Sequence, residues 1–132
     1  MIAVDTSAIM AILLNEPEAE TCIAALEREE GAIVMSSGTL AETLIVAGRR
    51  NVGPEARRLI EGLGIEIVLV NAASAKRVAD AYAQWGKGVH PAGLNFGDCF
   101  SYEIAKERNC PLLFVGDDFS RTDVDRPLPS AR

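Results

Sequence analysis

Apolar residues fall along this chain in two alternating patterns: short unbroken runs, and longer stretches at helical spacing. Residues 1–4 (MIAV) form an apolar run without helical period, closed by Asp5, and predict a buried strand. From Thr6 the apolar positions Ile9, Met10, Leu13 and Leu14 recur as on a helix. Glu16-Pro17 breaks that pattern and restarts it, since Pro suits a first helical turn. The second helix extends to about Glu30, where Gly31 stops it. Residues 32–35 predict a second strand. Ser36 and Ser37 are candidate N-caps for a long helix to about Arg50, with Leu40, Leu44, Ile45 and Ala47 toward the core. Gly53-Pro54 punctuates, and a shorter helix runs to about Leu63. Residues 65–70 are rich in β-branched residues and bounded by Gly64 and Asn71, which predicts a strand. A helix over 72–85, a loop over 86–97, a helix from about Gly97 to Arg108 and a strand over 111–115 follow. Beyond Gly116 the chain turns polar, and Arg126-Pro127-Leu128-Pro129 predicts irregular or edge structure.

Apolar strands separated by helices imply a parallel sheet covered on both faces. The expected fold is α/β: three α/β/α layers around a mostly parallel central sheet. No repeat, linker or low-complexity stretch interrupts residues 1–132, so a single domain is expected. A chain of 132 residues, 48% of them hydrophobic, buries roughly two-thirds of its unfolded surface without disulfides or a structural metal. Cys22, Cys99 and Cys110 are odd in number and show no paired spacing. No run approaches the ~20 apolar residues of a membrane span, and Asp5, Thr6 and Ser7 interrupt the apolar opening, unlike a signal peptide. A reduced, cytoplasmic protein with no membrane partner is expected.

The formal net charge of −6 opposes a nucleic-acid partner, because phosphate binding wants a basic surface. Its distribution changes that picture. Glu16, Glu18, Glu20, Glu27, Glu29 and Glu30 crowd one segment against Arg28. Arg49, Arg50, Arg57 and Arg58 crowd another against Glu55. Such a chain can offer phosphate a local basic edge while staying acidic, although solvated helix surface explains either cluster equally well.

Four acids bear on chemistry. Sites in open parallel α/β sheets form beyond the carboxyl ends of the strands. Asp5 directly follows the first strand, and Asp117 follows the last one after a Gly. Asp98 opens a helix, and Glu42 lies about two turns into another. Carboxylates gathered there raise one another's pKa unless a cation is present. Oxygen ligands select a hard ion, Mg²⁺ or Mn²⁺, which can activate water for phosphodiester hydrolysis. Structural readings stand beside this one. Glu42 completes a Thr39-x-x-Glu42 capping-box pattern, Asp98 suits a helix N-terminus, and Asp117-Asp118 suits a turn. Asp5 is the exception, since an ionisable residue rarely follows an apolar strand without a partner. His90, the lone histidine, is expected as a loop residue, and Trp85 beside Tyr82 as a packing residue.

These residues carry a resemblance. MIAVDTSA at 1–8, SSGTLAE at 36–42, LNFGDC at 94–99 with Tyr102 and Ala105, and LLFVGDDFSRTD at 112–123 resemble PIN-domain nucleases in order and spacing. In particular they resemble the VapC toxins of type II toxin–antitoxin pairs, over essentially the whole chain. The resemblance implies a Mg²⁺-dependent endoribonuclease, with Mn²⁺ as a substitute. Its acids fall on Asp5, Glu42, Asp98 and Asp117, with Asp5 and Asp98 as direct metal ligands and Asp118 as the alternative fourth acid. Thr6, Ser7 and Thr122 match small polar positions that line or support the pocket. The implied partners are RNA, a small VapB-like antitoxin with a basic side chain for the acidic pocket, and a second copy in a homodimer. Residues 36–63 are the expected part of either protein surface. Two other readings stay open: a phosphate-monoester hydrolase or phospho-acceptor using Asp5, and an inactive PIN-like interaction module.

Overall fold

A computed structural model describes residues 1–127. Its strands are β1 (Ile2–Val4), β2 (Ile33–Ser36), β3 (Glu66–Val68) and β4 (Leu112–Leu113). Its helices are α1 (Thr6–Leu13), α2 (Ala19–Arg28), α3 (Ser37–Arg49), α4 (Gly53–Gly62), α5 (Ala72–Trp85) and α6 (Phe96–Glu107), and a 3₁₀ turn covers Asp118–Arg121. The strands form one sheet in the order β3-β2-β1-β4, and every pairing is parallel. Neighbouring residues on a strand point to opposite faces, and two cores result. Ala3, Val34 and Leu112 join Val78 and Ala81 of α5 and Cys99, Tyr102 and Ile104 of α6. Ile2, Val4, Met35 and Leu113 join Ala8 and Ile9 of α1, Cys22 and Leu26 of α2, and Ile60 of α4. The sheet is therefore sandwiched between helices, as its largely apolar strands predict.

Differences from the expected elements have local causes. The strand expected over 65–70 shrinks to β3, because this edge strand has a neighbour on one side only, and Leu69 is 76% exposed. Ile45, expected in the core, is 57% exposed. The buried stripe of α3 is Thr39, Thr43 and Ala47, and Ile45 lies well over 90° around the helix from it. The turn expected at 117–118 opens the 3₁₀ helix, anchored by buried Phe119 against Phe114 at 5.1 Å between ring centroids. Arg126 sits over the Phe114 ring; Leu128 and Pro129 lie outside the described residues. Cys22 and Cys99 are buried, Cys110 is half-buried, and all three are free thiols. Among the described residues no helix is long and apolar enough to cross a membrane.

Candidate active site

Asp5 follows β1, the strand flanked by β2 and β4. It leaves the sheet in extended conformation and caps α1, accepting from the Ser7 amide at 3.0 Å. The Ser7 hydroxyl donates to the same oxygen at 2.7 Å, and Ser101 of α6 donates to the other at 2.5 Å. Ser7 Oγ in turn accepts from the Val115 amide at 3.0 Å, which ties the exit of β4 to Asp5. Asp5 is 4% exposed, yet it is fully partnered.

Asp98 sits in the first turn of α6. Its carboxylate accepts from the Asn95 amide at 3.0 Å while Asn95 accepts from the Asp98 amide at 2.8 Å. This reciprocal capping box confirms a structural role for Asp98. It does not exhaust the residue's environment. Asp98 is 8% exposed, and burial, with the charges of Asp5, Asp118 and Glu42, pushes its carboxyl up to about 7 against the opposing pull of the Asn95 amide.

Glu42 is not a capping-box residue. Helix α3 is capped by Ser36, whose hydroxyl accepts from the Gly38 amide at 3.2 Å, and Thr39 lies inside the helix. The Glu42 carboxylate instead accepts from Thr6 at 2.6 Å. Burial raises its pKa, the Thr6 hydrogen bond opposes the rise, and the charge of Asp5 adds to it. Glu42 leans on the backbone of α6 at Gly97. A Cβ built there would come within 2.6 Å of Glu42 Cδ, so a side chain at 97 would displace the carboxyl.

Asp5, Glu42 and Asp98 thus share one electrostatic neighbourhood at the carboxyl edge of the sheet. Asp117 stands differently. The positive φ of Gly116, +99°, turns the chain after β4, and Asp118 rather than Asp117 supplies the charge felt by Asp98. Asp117 lines a groove with Glu18 and Cys22 of α2 and Val115. Thr122 Oγ1 donates to the Phe119 carbonyl at 2.7 Å and so closes the 3₁₀ turn. His90 accepts from the Ala92 amide and stacks edge-on against Trp85, whose indole donates to the Tyr102 hydroxyl at 2.9 Å. Trp85 and Tyr102 join α5 to α6, and His90 packs its loop against Trp85. Sequence reasoning gave no site role to Ser101, Thr39, Thr43 or Gly97; for the three hydroxyl residues the signal was a polar side chain at a helical position that packing should have made apolar.

The donor chemistry suits a hard divalent cation: carboxylate and hydroxyl oxygens, with a buried excess of negative charge that a cation would relieve. Among the described residues no three acidic, His or Cys side chains form a ready-made cage.

A parallel α/β sandwich with acids at its strand ends defines the class, and the PIN-domain family model matches residues 2–125. Ribonuclease VapC30 of Mycobacterium tuberculosis is 43% identical over 124 residues, covering 92% of this chain and 94% of the relative. The solved structure of VapC20 from the same species, a sarcin-ricin-loop-cleaving toxin, superposes with a TM-score of 0.80 at 16% identity, covering 98% of this chain and 100% of that one. A toxin–antitoxin complex from Klebsiella pneumoniae gives 0.71 at 17% identity over 98% and 100%. The chain belongs to the PIN-domain family and, within it, to the VapC ribonucleases.

Proposed function

We propose that this chain is the cytoplasmic toxin of a toxin–antitoxin pair, a single-domain endoribonuclease that cleaves RNA with the help of Mg²⁺ or Mn²⁺. The observation that carries the reading is the gathering of Asp5, Glu42 and Asp98 at the carboxyl edge of the sheet, two of them buried and each held by hydrogen bonds, where burial and the neighbouring acids raise the Asp98 carboxyl. A cation bound there would stabilise the charged carboxylates and supply a more acidic water and a polarised phosphoryl oxygen. Asp5 and Asp98 are the proposed ligands. Glu42 orients the attacking water from its seat on Gly97. We assign the fourth acid to Asp118, with Asp117 serving the turn, because Asp118 is the one whose charge reaches Asp98. The 43% identical relative is named a ribonuclease.

For partners we propose RNA, a small VapB-like antitoxin and a second copy of the chain. The arginines expected to meet phosphate, Arg49, Arg50, Arg57 and Arg58, are all exposed, and none has an ion-pair partner within 4.0 Å among the described residues. The decisive experiment is cleavage of structured RNA by purified protein with Mg²⁺ or Mn²⁺, beside Asp5→Asn and Asp98→Asn. Cleavage is expected to vanish with EDTA and to fall about 100-fold or more in both variants, since losing even an outer partner of a metal ligand costs about 10–100-fold. Cleavage indifferent to EDTA and to both substitutions would sink the mechanism. Asp118→Asn should cost more activity than Asp117→Asn; the reverse order returns the fourth role to Asp117.

A further inference from the structure

Behind the acids lie hydroxyls that filling a core does not require. Thr39, Thr43 and Ser101 are wholly buried. Ser101 Oγ stands 2.5 Å from Asp5 Oδ1, and Thr39 Oγ1 stands 3.1 Å from Ser101 Oγ. Thr43 Oγ1 lies 2.8 Å from the Thr6 hydroxyl that donates to Glu42 and 2.8 Å from the Thr39 carbonyl, and its single proton serves one of these two acceptors at a time. Two branches therefore meet at Thr39. One reaches Asp5 through Ser101, and the other reaches Glu42 through Thr43 and Thr6.

Resting on the proposed catalytic role of these acids, we infer that the hydroxyls are a positioning device for the two carboxylate planes, with Ser101 setting Asp5 and Thr43 setting Glu42. The last torsion of Asp and of Glu is broad and roughly two-fold, so rotamer preference does not fix the plane of either carboxylate. Hydrogen bonds must do it. Asp5 is gripped from two helices, by Ser7 on one oxygen and Ser101 on the other, and it cannot turn without breaking one grip. Glu42 has a hydroxyl donor on one oxygen only, and Thr6 is free to give Glu42 its proton when Thr43 turns its own proton from the Thr39 carbonyl to Thr6 Oγ1. A buried hydroxyl contributes nothing to packing that a methyl would not, and it carries a cost when unbonded. Its presence at three adjoining core positions follows from what it holds in place.

Threonine allows a clean test, because Thr43→Val keeps the shape and loses the hydroxyl, while Thr43→Ser keeps the hydroxyl and loses a methyl. The full chain and its Ser101→Ala, Thr43→Val and Thr43→Ser variants are titrated with Mn²⁺ by calorimetry, and kcat and KM are measured on a fluorescent RNA. Positioning predicts that Ser101→Ala and Thr43→Val weaken Mn²⁺ binding and lower kcat about 10-fold, with KM little changed. Thr43→Ser should stay within about threefold on the same scale. A packing role predicts the opposite order for the two Thr43 variants, and that order, or equal behaviour of all four proteins, overturns the inference. If the wild type binds no Mn²⁺, the metal reading fails, while the contrast in kcat between Val and Ser at position 43 still decides the positioning role.

Discussion

Two acidic regions of this molecule look alike in the sequence and behave oppositely in the structure. Around α2, Glu16, Glu18, Glu20, Glu27 and Glu30 stand exposed to water, and Glu29 is held against the Met1 ammonium at 3.0 Å. At the carboxyl edge of the sheet, Asp5 and Asp98 are buried, and Glu42 is half-buried beside them. In water, like charges a few ångströms apart repel by about 1 kcal/mol, but the same separation in a less polar setting costs several times more. Charge density along the chain therefore says little. What decides function is where the protein has paid desolvation to hold charge against its neighbours. The hydroxyls of Ser7, Ser101 and Thr6 are the means of holding it.

Asp98→Asn should sharpen this contrast most. Asn keeps an acceptor for the Asn95 amide and removes the charge, so cleavage collapses while the metal-free fold is retained or strengthened. The pH dependence follows from the same carboxyl. In the folded chain its pKa is about 7, against about 3.9 in an unfolded chain. Between those values the native state keeps a proton that the unfolded state has lost, so metal-free stability falls as pH rises from about 4 to about 7. The melting temperature should drop by several degrees over that window, with roughly 4–8 °C lost per kcal/mol for a domain somewhat smaller than this one. In Asp98→Asn the slope should flatten, and saturating Mn²⁺ should restore the wild type by mass action. A melting temperature that rises through this window would contradict the raised pKa.

Gly97→Ala is the next step down in effect. In a helix Ala is favoured over Gly by up to about 1 kcal/mol, so the melting temperature should hold or rise slightly. The new Cβ would meet the Glu42 carboxyl, the mobile end of a side chain, which can swing aside without unfolding anything. Activity should then fall roughly 10-fold, in the range of lost outer-shell support, with stability unchanged. Full activity in Gly97→Ala would show that the seat of Glu42 does not matter.

Periodicity alone was enough for much of this architecture. The apolar runs ending at Asp5 and near Ser36, the breaks at Glu16-Pro17 and Gly53-Pro54, and the helices over 72–85 and from about 97 all correspond to observed elements. A strand that is apolar on both faces leaves few alternatives to a parallel sandwich. The site was legible as residue types but not as roles. Asp98 is both a cap and a member of the acid group, a combination that no local pattern separates. Ile45 was misplaced because the true inner stripe of α3 carries two threonines, and a hydrophobicity pattern sends polar residues outward. That stripe, like buried Ser101 on α6, is a place where local rules and burial disagree, which is where function is expected to sit. The choice between Asp117 and Asp118 depended on how Gly116 and Phe119 set the 3₁₀ turn, and spacing cannot supply that.

The smallest expected effect lies in the other acidic region, at Glu29, and its sign is the useful part. Its pKa is lowered by the hydrogen bond from the Met1 ammonium and by the Gly31 amide, which together outweigh a slight desolvation. A lowered pKa means that the unfolded chain binds more protons, so the stability this pair adds is present above the ordinary glutamate value of about 4.3 and lost as pH falls through the native one. Asp98 subtracts stability as pH rises from about 4 toward 7, whereas the Glu29 contribution is present above about 4.3 and is lost below it. Glu29→Gln should therefore leave cleavage untouched and lower stability by less than about 1 kcal/mol, as exposed ion pairs do. The difference should shrink in 1 M salt, where the screening length is about 3 Å. The Asp98 effect, generated in a buried site, should persist there. If salt erased both effects equally, the division between a solvated and a desolvated acidic region would fail as an account of this molecule.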